Sequence, residues 1–423
     1  MEKTLKIGFV GTGKLGLMVA LTIESRGHEV KGYDINPAIA GYLRDRKIPF
    51  KEEHADELLA SSKMEMVGLQ DLCDWADILF LAPQTPHAPE YEGATPLPEE
   101  RVDFDYSHLV KCVTDVDACL EVPKICVVIS TVLPGTIERE VKPVISRFFR
   151  LVYEPLFIAM GTVYSDFINP EFVLVGVDDP AAAQQVEDFY KTIHDRPVFK
   201  TDIKTAEGIK VSYNTFITTK TVLANLWGEM AHKLGMNVDD IYRAWSMAGE
   251  RLISTKYLQA GMGDGGGCHP RDNIALSYVA RREHLSFDFF EALMVARERH
   301  VEWLADLITV EAYNISPQPK LAPIFILGRS FKPETNIEVG SPSLLLSNLL
   351  IRDHVPHDII EDMLPTRRGV YFIGTKHSKY RNYRFPEGST VIDPFRYIDS
   401  QPGVRLVSIG KGVETPVHEV MTK

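Results

Sequence analysis

The sequence predicts an α/β protein with three parts: an N-terminal Rossmann-like doubly wound sheet, a long central helical region and a smaller C-terminal α/β domain. Three observations predict it. Short apolar runs alternate with helical-period segments over the first part of the chain, the pattern of a parallel sheet. A Pro-free stretch with apolar residues every three or four positions follows. Beyond a Pro-rich linker the alternation resumes. At 423 residues the chain exceeds one core, since a domain takes roughly 100–200 residues.

Residues 5–10 (LKIGFV) read as the first strand, the segment from Lys14 to Ser25 as a helix, and HEVKGYD, ending at Asp34, as the second strand. ADILFLAPQTP (76–86), KICVVISTVLPGT (124–136), FRLVYEPLF (149–157) and EFVLVGVDD (171–179) add buried strands. The first domain therefore runs over 1–200. The stretch from Thr205 to Leu234 predicts a helix of roughly 28 residues, about 42 Å long. Helical segments at 237–260 and 273–312 complete a central domain at 201–313. NISPQPKLAP (314–323) is the linker. IFILGRSF opens a strand, a helix starts at Pro342, and VYFIGT and STVIDPF complete a C-terminal domain at 320–423.

Composition is that of an ordinary globular chain, 45% hydrophobic and 25% charged. A net charge of −12 argues against nucleic acid as a partner. The N-terminus has no apolar signal core, and no apolar run reaches the roughly 18–20 residues of a membrane span. These features predict a cytoplasmic protein without membrane association. Five cysteines with no C-x-x-C pair predict neither a disulfide framework nor a metal site. Cys73, Cys112, Cys119 and Cys126 sit in apolar or amphipathic surroundings and read as packing groups.

Gly11-Thr-Gly13-Lys14-Leu15-Gly16 ends a strand and opens a helix. Gly11 permits the tight turn, Gly13 lets a pyrophosphate approach the backbone, and Gly16 lets helix and strand pack closely. The helix N-terminus supplies N–H groups and positive dipole for the phosphates. Asp34, at the end of the second strand, can accept hydrogen bonds from a ribose diol, and its charge repels a 2′-phosphate. The cofactor predicted is NAD.

Residues 261–272 (GMGDGGGCHPRD) hold five glycines in seven positions, which excludes helix or strand interior. Such a loop can wrap a substrate and present Cys268. Asp272, just before an apolar helical run, is positioned to cap that helix. A thiol at a loop-to-helix junction titrates low. The alternative is a linker with an incidental cysteine.

Together with ADILFLAPQTP, VISTVLPGT, AEGIKVSYNTF and GRSFKPETN, taken in this order, these motifs resemble the UDP-glucose/GDP-mannose dehydrogenase family over nearly the whole chain. The resemblance implies a homodimer joined through the long helix, NAD as cofactor and a nucleotide sugar as substrate. It also implies oxidation of a primary alcohol twice, through a cysteine thiohemiacetal and thioester, to a uronic acid, as in polysaccharide or glycoconjugate biosynthesis. Carried over, Cys268 is the nucleophile. Lys210 and Asn214 contact the oxyanion, Asp272 holds the water and pairs with the lysine, and Thr131 positions that water beside the nicotinamide. Thr85 and Pro86 are expected at the cofactor, and Phe157, Gly265, Gly266, Phe331 and Lys332 at the substrate, with Lys332 near its phosphates. Taken singly, each has an ordinary reading: a solvated lysine, a helix amide, an end-of-strand hydroxyl.

The chain departs from the family pattern in two places. Where the family reads P-E-F-L-x-E-G, this chain has Pro155-Leu156-Phe157-Ile158-Ala159-Met160-Gly161. The first missing glutamate is the one assigned to activate water for thioester hydrolysis. Either Glu154 or Asp272 takes over that step, or oxidation stops at an aldehyde or acts on a secondary alcohol. The other readings are a β-hydroxyacid dehydrogenase that needs no cysteine and a non-catalytic NAD-binding relative. Second, after Lys332 the family's T-x-D-x-R-x-S-P gives way to Thr335-Asn-Ile-Glu-Val-Gly-Ser341-Pro342, without the Asp and the Arg.

Overall fold

Eight short strands form the first sheet: β1 (Lys6–Val10), β2 (Glu29–Tyr33), β3 (Glu65–Met66), β4 (Ile78–Leu81), β5 (Lys124–Val128), β6 (Phe149–Tyr153), β7 (Val173–Val177) and β8 (Val198–Thr201). Their order is β3-β2-β1-β4-β5-β6-β7-β8. Every neighbouring pair is parallel except β6 and β7. Alternate residues feed two cores. Ile78 and Phe80 pack on the side of the helix Lys14–Ser25, whereas Leu79 and Leu81 pack on the side of the helix Ser107–Ala118. Burial on both faces explains why these strands read as continuous apolar runs rather than alternating ones.

The computed structural model describes residues 4–86, 88, 98–100, 102–254, 257, 259–262, 268–316 and 321–411. The chain divides into two compact units, 1–219 and 220–423. The division falls inside the long helix Ile203–Leu234. In the second unit β9 (Ile324–Leu327), β10 (Asp358–Ile360), β11 (Val370–Ile373), β12 (Thr390–Asp393) and β13 (Arg405–Ser408) form an all-parallel sheet in the order β10-β9-β11-β12-β13. Its core takes Ile324, Ile326 and Phe372 together with Val301, Leu304 and Ile308 of the helix Phe289–Ile315. That shared core is the reason the later central helices belong to the same compact unit as the C-terminal sheet.

Several sequence expectations need correction. The helical segment read at 273–312 is two helices, Cys268–Arg282 and Phe289–Ile315. His284 between them has a φ of 50° and ends the first helix. Among the described residues, the segment read at 237–260 is helical only over Val238–Met247. Strands β3, β8, β10 and β13 were not expected; each is two to four residues long, too short for a periodic signal. No described helix is long and apolar enough to cross a membrane.

The two sheets repeat one local device. Gly11 (φ +90) donates its N–H to Tyr33 O at 2.9 Å, and Gly328 (φ +95) donates to Ile360 O at 2.9 Å. The next N–H in each turn, of Thr12 and of Arg329, goes to the acidic residue ending the adjacent strand, Asp34 and Glu361. After Gly11 a helix starts at once; after Gly328 the next helix begins only at Pro342. The second turn therefore lacks the helix N-terminus that would hold phosphates.

Candidate active site

The first part of the site lies at the carboxyl ends of β1, β2 and β4, where the strand order reverses. Open α/β sheets bind ligands at such a switch point. A cavity of about 310 Å³ opens here, lined by Gly11, Gly13, Asp34, Ile35, Pro83 and Lys111 among others. Each glycine has a separate steric reason. A Cβ on Gly11 would sit 2.8 Å from Ala82 O, and one on Gly16 would sit 2.2 Å from Gly11 O. A Cβ on Gly13 would meet nothing within 4 Å. That backbone faces open space, as a pyrophosphate cradle requires. Lys14 and Leu15 begin the helix beside it.

Asp34 Oδ2 accepts the N–H of Thr12 at 2.6 Å, and Oδ1 accepts that of Asn36 at 2.8 Å. The carboxylate is thereby fixed at the mouth of the cavity. This arrangement fits the adenosine half of NAD: a glycine cradle with no side chain in the way, and an oriented acceptor beside it. His108, Lys111 and Cys112, from the helix Ser107–Ala118, also line the cavity. Sequence reasoning missed them, because they lie over seventy positions beyond Asp34 with no local motif. Burial pushes the Cys112 thiol up to about 12, which keeps it an uncharged packing group. Replacing Asp34 with alanine is expected to weaken NAD binding roughly tenfold to a hundredfold, the loss of hydrogen bonds to a charged acceptor. Titration of cofactor binding by fluorescence checks this, and unchanged affinity would remove Asp34 from the ribose.

The second part is built on the long helix. Lys210 is 7% exposed. Its Nζ donates to Leu156 O at 2.8 Å and lies 4.9 Å from the Phe157 ring centre. Burial lowers its pKa, because desolvation disfavours the ammonium. Among the described residues no carboxylate pairs with it. Phe157 is wedged between Phe172 (5.0 Å) and Tyr213 (4.6 Å), which fixes the floor under the ammonium. Asn214 is exposed one turn further along the helix. Thr131 follows β5, and its carbonyl accepts the Thr85 hydroxyl at 3.1 Å. Pro86 stands next to Thr85, and its carbonyl accepts the N–H of Asp105 at 3.0 Å. The first unit thus brings Lys210, Phe157 and Leu156 together, and joins Thr131 to Thr85.

Glu154 requires a correction. As a stand-in for the missing glutamate it would have to face water. It is 1% exposed. Its Oε1 accepts the Tyr190 hydroxyl, and Oε2 has no partner among the described residues. Burial pushes its pKa up to about 8. Held by Tyr190 and kept from solvent, this carboxyl is not placed as the exposed stand-in that the sequence suggests. The sequence shows that a glutamate stands two places before Leu156, but not that its side chain points inward.

In the second unit Cys268 is the first residue of the helix Cys268–Arg282. Asp272 therefore lies inside that helix and does not cap it, contrary to expectation. It pairs with Arg271 at 2.8 Å and is exposed. Gly265 and Gly266 lie outside the described residues. Phe331 is half-buried, and Lys332 Nζ lies 5.4 Å from its ring centre. No group of three or more metal-binding side chains occurs among the described residues.

Models of the UDP-glucose/GDP-mannose dehydrogenase family match this chain over 5–194, as the NAD binding domain, and over 204–298, as the central domain. The chain belongs to this family. It is accordingly an NAD-dependent nucleotide-sugar dehydrogenase. It is 28% identical to the GDP-mannose 6-dehydrogenase of Azotobacter vinelandii, covering 82% of this chain and 79% of that protein. It is 25% identical to the UDP-glucose 6-dehydrogenase of Rickettsia conorii, covering 83% and 79%. In fold it is similar to the GDP-mannose dehydrogenase of Pseudomonas aeruginosa, solved as a ternary complex. The TM-score is 0.83 at 21% identity, over 95% of this chain and 99% of that one.

Proposed function

We propose that this dehydrogenase oxidises a primary alcohol of a nucleotide sugar to the carboxylate, in two oxidations, through a covalent adduct on Cys268. The observation that carries the reading is Lys210, a buried cation with a carbonyl and an aromatic face as partners and no described counter-ion. Such a group is suited to hold an oxyanion that forms only during reaction. NAD bound in the Gly11–Asp34 cavity supplies the hydride acceptor, one molecule for each oxidation.

In the first oxidation the alcohol carbon gives up a hydride and its oxygen a proton, leaving an aldehyde. The thiolate of Cys268, the first residue of its helix, then forms a C–S bond. The carbonyl electrons move to oxygen, where Lys210 and Asn214 hold the alkoxide. Loss of the second hydride leaves a thioester. Water, held by Asp272 and Thr131, attacks the acyl carbon; the C–S bond breaks, and the thiolate and the acid are released. With Leu156 in place of the glutamate and Glu154 turned inward, Asp272 is the carboxylate left to take the water's proton. Phe157, Gly265, Gly266, Phe331 and Lys332 make the substrate contacts, Lys332 at the phosphates.

The same loss of glutamate favours one second reading, in which oxidation stops at the aldehyde. Counting NADH per substrate consumed separates the two. Two NADH with an acid product are expected. One NADH with an aldehyde product would replace the first reading by the second.

The active form is a homodimer joined through the long helix and its neighbours. Val222 on the long helix and Tyr242, Met247 and Tyr278 on the two helices after it are each exposed apolar residues, which supports this reading.

A further inference from the structure

Glu207 sits on the long helix one turn before Lys210 and is fully buried. Both of its carboxylate oxygens are committed to one distant loop. Oε1 accepts the N–H of Ile137 at 2.7 Å, and Oε2 accepts the N–H of Gly135. That loop begins at Thr131. Gly135 has a φ of 91°, which turns nearby amides to the same side and forms an anion-binding concavity. Ile137 opens a π-helical turn, Ile137–Val141, a geometry frequent at functional sites. The loop is held elsewhere by Tyr106, whose hydroxyl accepts the N–H of Leu133 at 3.3 Å, and by the Thr85 contact to Thr131.

We propose that Glu207 is a positioning residue for the dehydrogenase reaction: its carboxylate fixes the Thr131 loop at a set distance from the helical turn that carries Lys210. The proposal rests on the roles given above to Thr131 and Lys210. Its physical basis is the choice of partner. A side chain of the loop itself could satisfy the Gly135 and Ile137 amides, as serine, threonine and aspartate do at most helix starts. A carboxylate on the Lys210 helix satisfies them and also links the two elements. Charge-assisted bonds to a buried carboxylate are short and directional. The ammonium, in turn, is held against Leu156 O at the end of β6. One turn of helix therefore ties together the loops that follow β5 and β6, between which the reacting carbon and its oxygen must be placed.

Glu207→Gln tests this with the side-chain shape kept. The amide offers one acceptor and turns a donor toward the second backbone N–H. In the full-length protein kcat is expected to fall about tenfold to a hundredfold, the scale of a misplacement near 1 Å. KM for the nucleotide sugar and NAD affinity should stay close to wild type, while the melting temperature falls by a few degrees, the cost of about 1–3 kcal/mol for one buried N–H left unsatisfied. Amide hydrogen exchange should accelerate over 131–137 and not elsewhere. Gly135→Ala, which strains the loop at its positive φ and leaves Glu207 in place, its Cβ meeting only the end of the Lys204 side chain at 3.8 Å, should give the same split; it decides the matter if the Gln variant does not fold. Glu207→Asp, with the charge kept and one methylene lost, should recover exchange protection more than it recovers kcat. Values of kcat within about twofold of wild type in both Glu207→Gln and Gly135→Ala would overturn the proposal. So would a loss in which kcat falls only together with a raised KM and weakened NAD affinity. If wild type makes no NADH from any nucleotide sugar, the functional reading fails on its own. Exchange over 131–137 then judges the Glu207 tie, and unchanged protection in Glu207→Gln overturns it.

Discussion

Cys268→Ala is expected to cut steady-state NADH formation by at least about a thousandfold, the scale on which a covalent nucleophile contributes. The reason lies in the second oxidation. An aldehyde C–H is a poor hydride source, because its carbon is trigonal and electron-poor. Addition of sulfur makes the carbon tetrahedral and puts a negative oxygen on it, and that oxygen drives the hydride out. Without the thiol the first oxidation can proceed once and stall, so a burst of at most one NADH per subunit should remain. NAD affinity should be unchanged, since the cavity is built from Gly11, Gly13 and Asp34, which the substitution leaves in place. Rapid-mixing absorbance of NADH, with a single-turnover arm, reads both quantities. Full turnover in the variant would move the protein to the dehydrogenases that need no cysteine. Absence of NADH from wild type with a panel of nucleotide sugars, despite NAD binding, would make it a non-catalytic relative.

Glu154→Gln is expected to make the protein increasingly more stable than wild type as pH rises. The ordinary pKa of Glu154 is 4.5, and burial raises it to about 8 in the folded chain, partly offset by the Tyr190 hydrogen bond. Below about 4.5 both folded and unfolded chains hold the proton, and ionisation costs nothing. Between the two values the unfolded chain has released it while the folded chain keeps it, so wild-type stability falls as pH rises. Above about 8 both are ionised, and the penalty is constant. Over that window the difference between variant and wild type should grow by roughly 3–5 kcal/mol. Gln keeps an acceptor for Tyr190 and carries no charge, so its own stability lacks this slope. Urea denaturation at pH 5 and pH 9 checks the prediction. A constant difference between the two proteins would show that Glu154 titrates normally.

The glycine turn was legible because sterics are local. Gly11, Gly13 and Gly16 each answer to neighbours set by the strand and helix that they join, and Asp34 falls at the end of the next strand. Composition argues for an irregular segment before Cys268, since so many glycines disfavour regular structure; residues 263–267 lie outside the described residues. The same argument placed the helix too late. Asp272 reads as a cap from its type and spacing, yet the helix starts at Cys268, since a cap is decided by backbone dihedrals and not by residue type alone. Lys210 was found through its family motif, but its burial was not visible, nor its hold on Leu156 O. Its neighbours Phe172 and Tyr213 come from a different strand connection and a different turn of helix.

By itself, the sequence determined the α/β class, the cofactor turn, the long helix and the family, because these rest on periodicity and on short motifs whose geometry is local. Tertiary structure alone decided which carboxyls are available for chemistry. Glu154 and Glu207 look alike in the sequence, each an acid near a motif. Folding buries both, sets one against a tyrosine hydroxyl where it keeps its proton, and gives the other two backbone N–H groups to hold. The difference comes from partners that the sheet brings from 36 and 70 positions away, a distance at which no local pattern carries information.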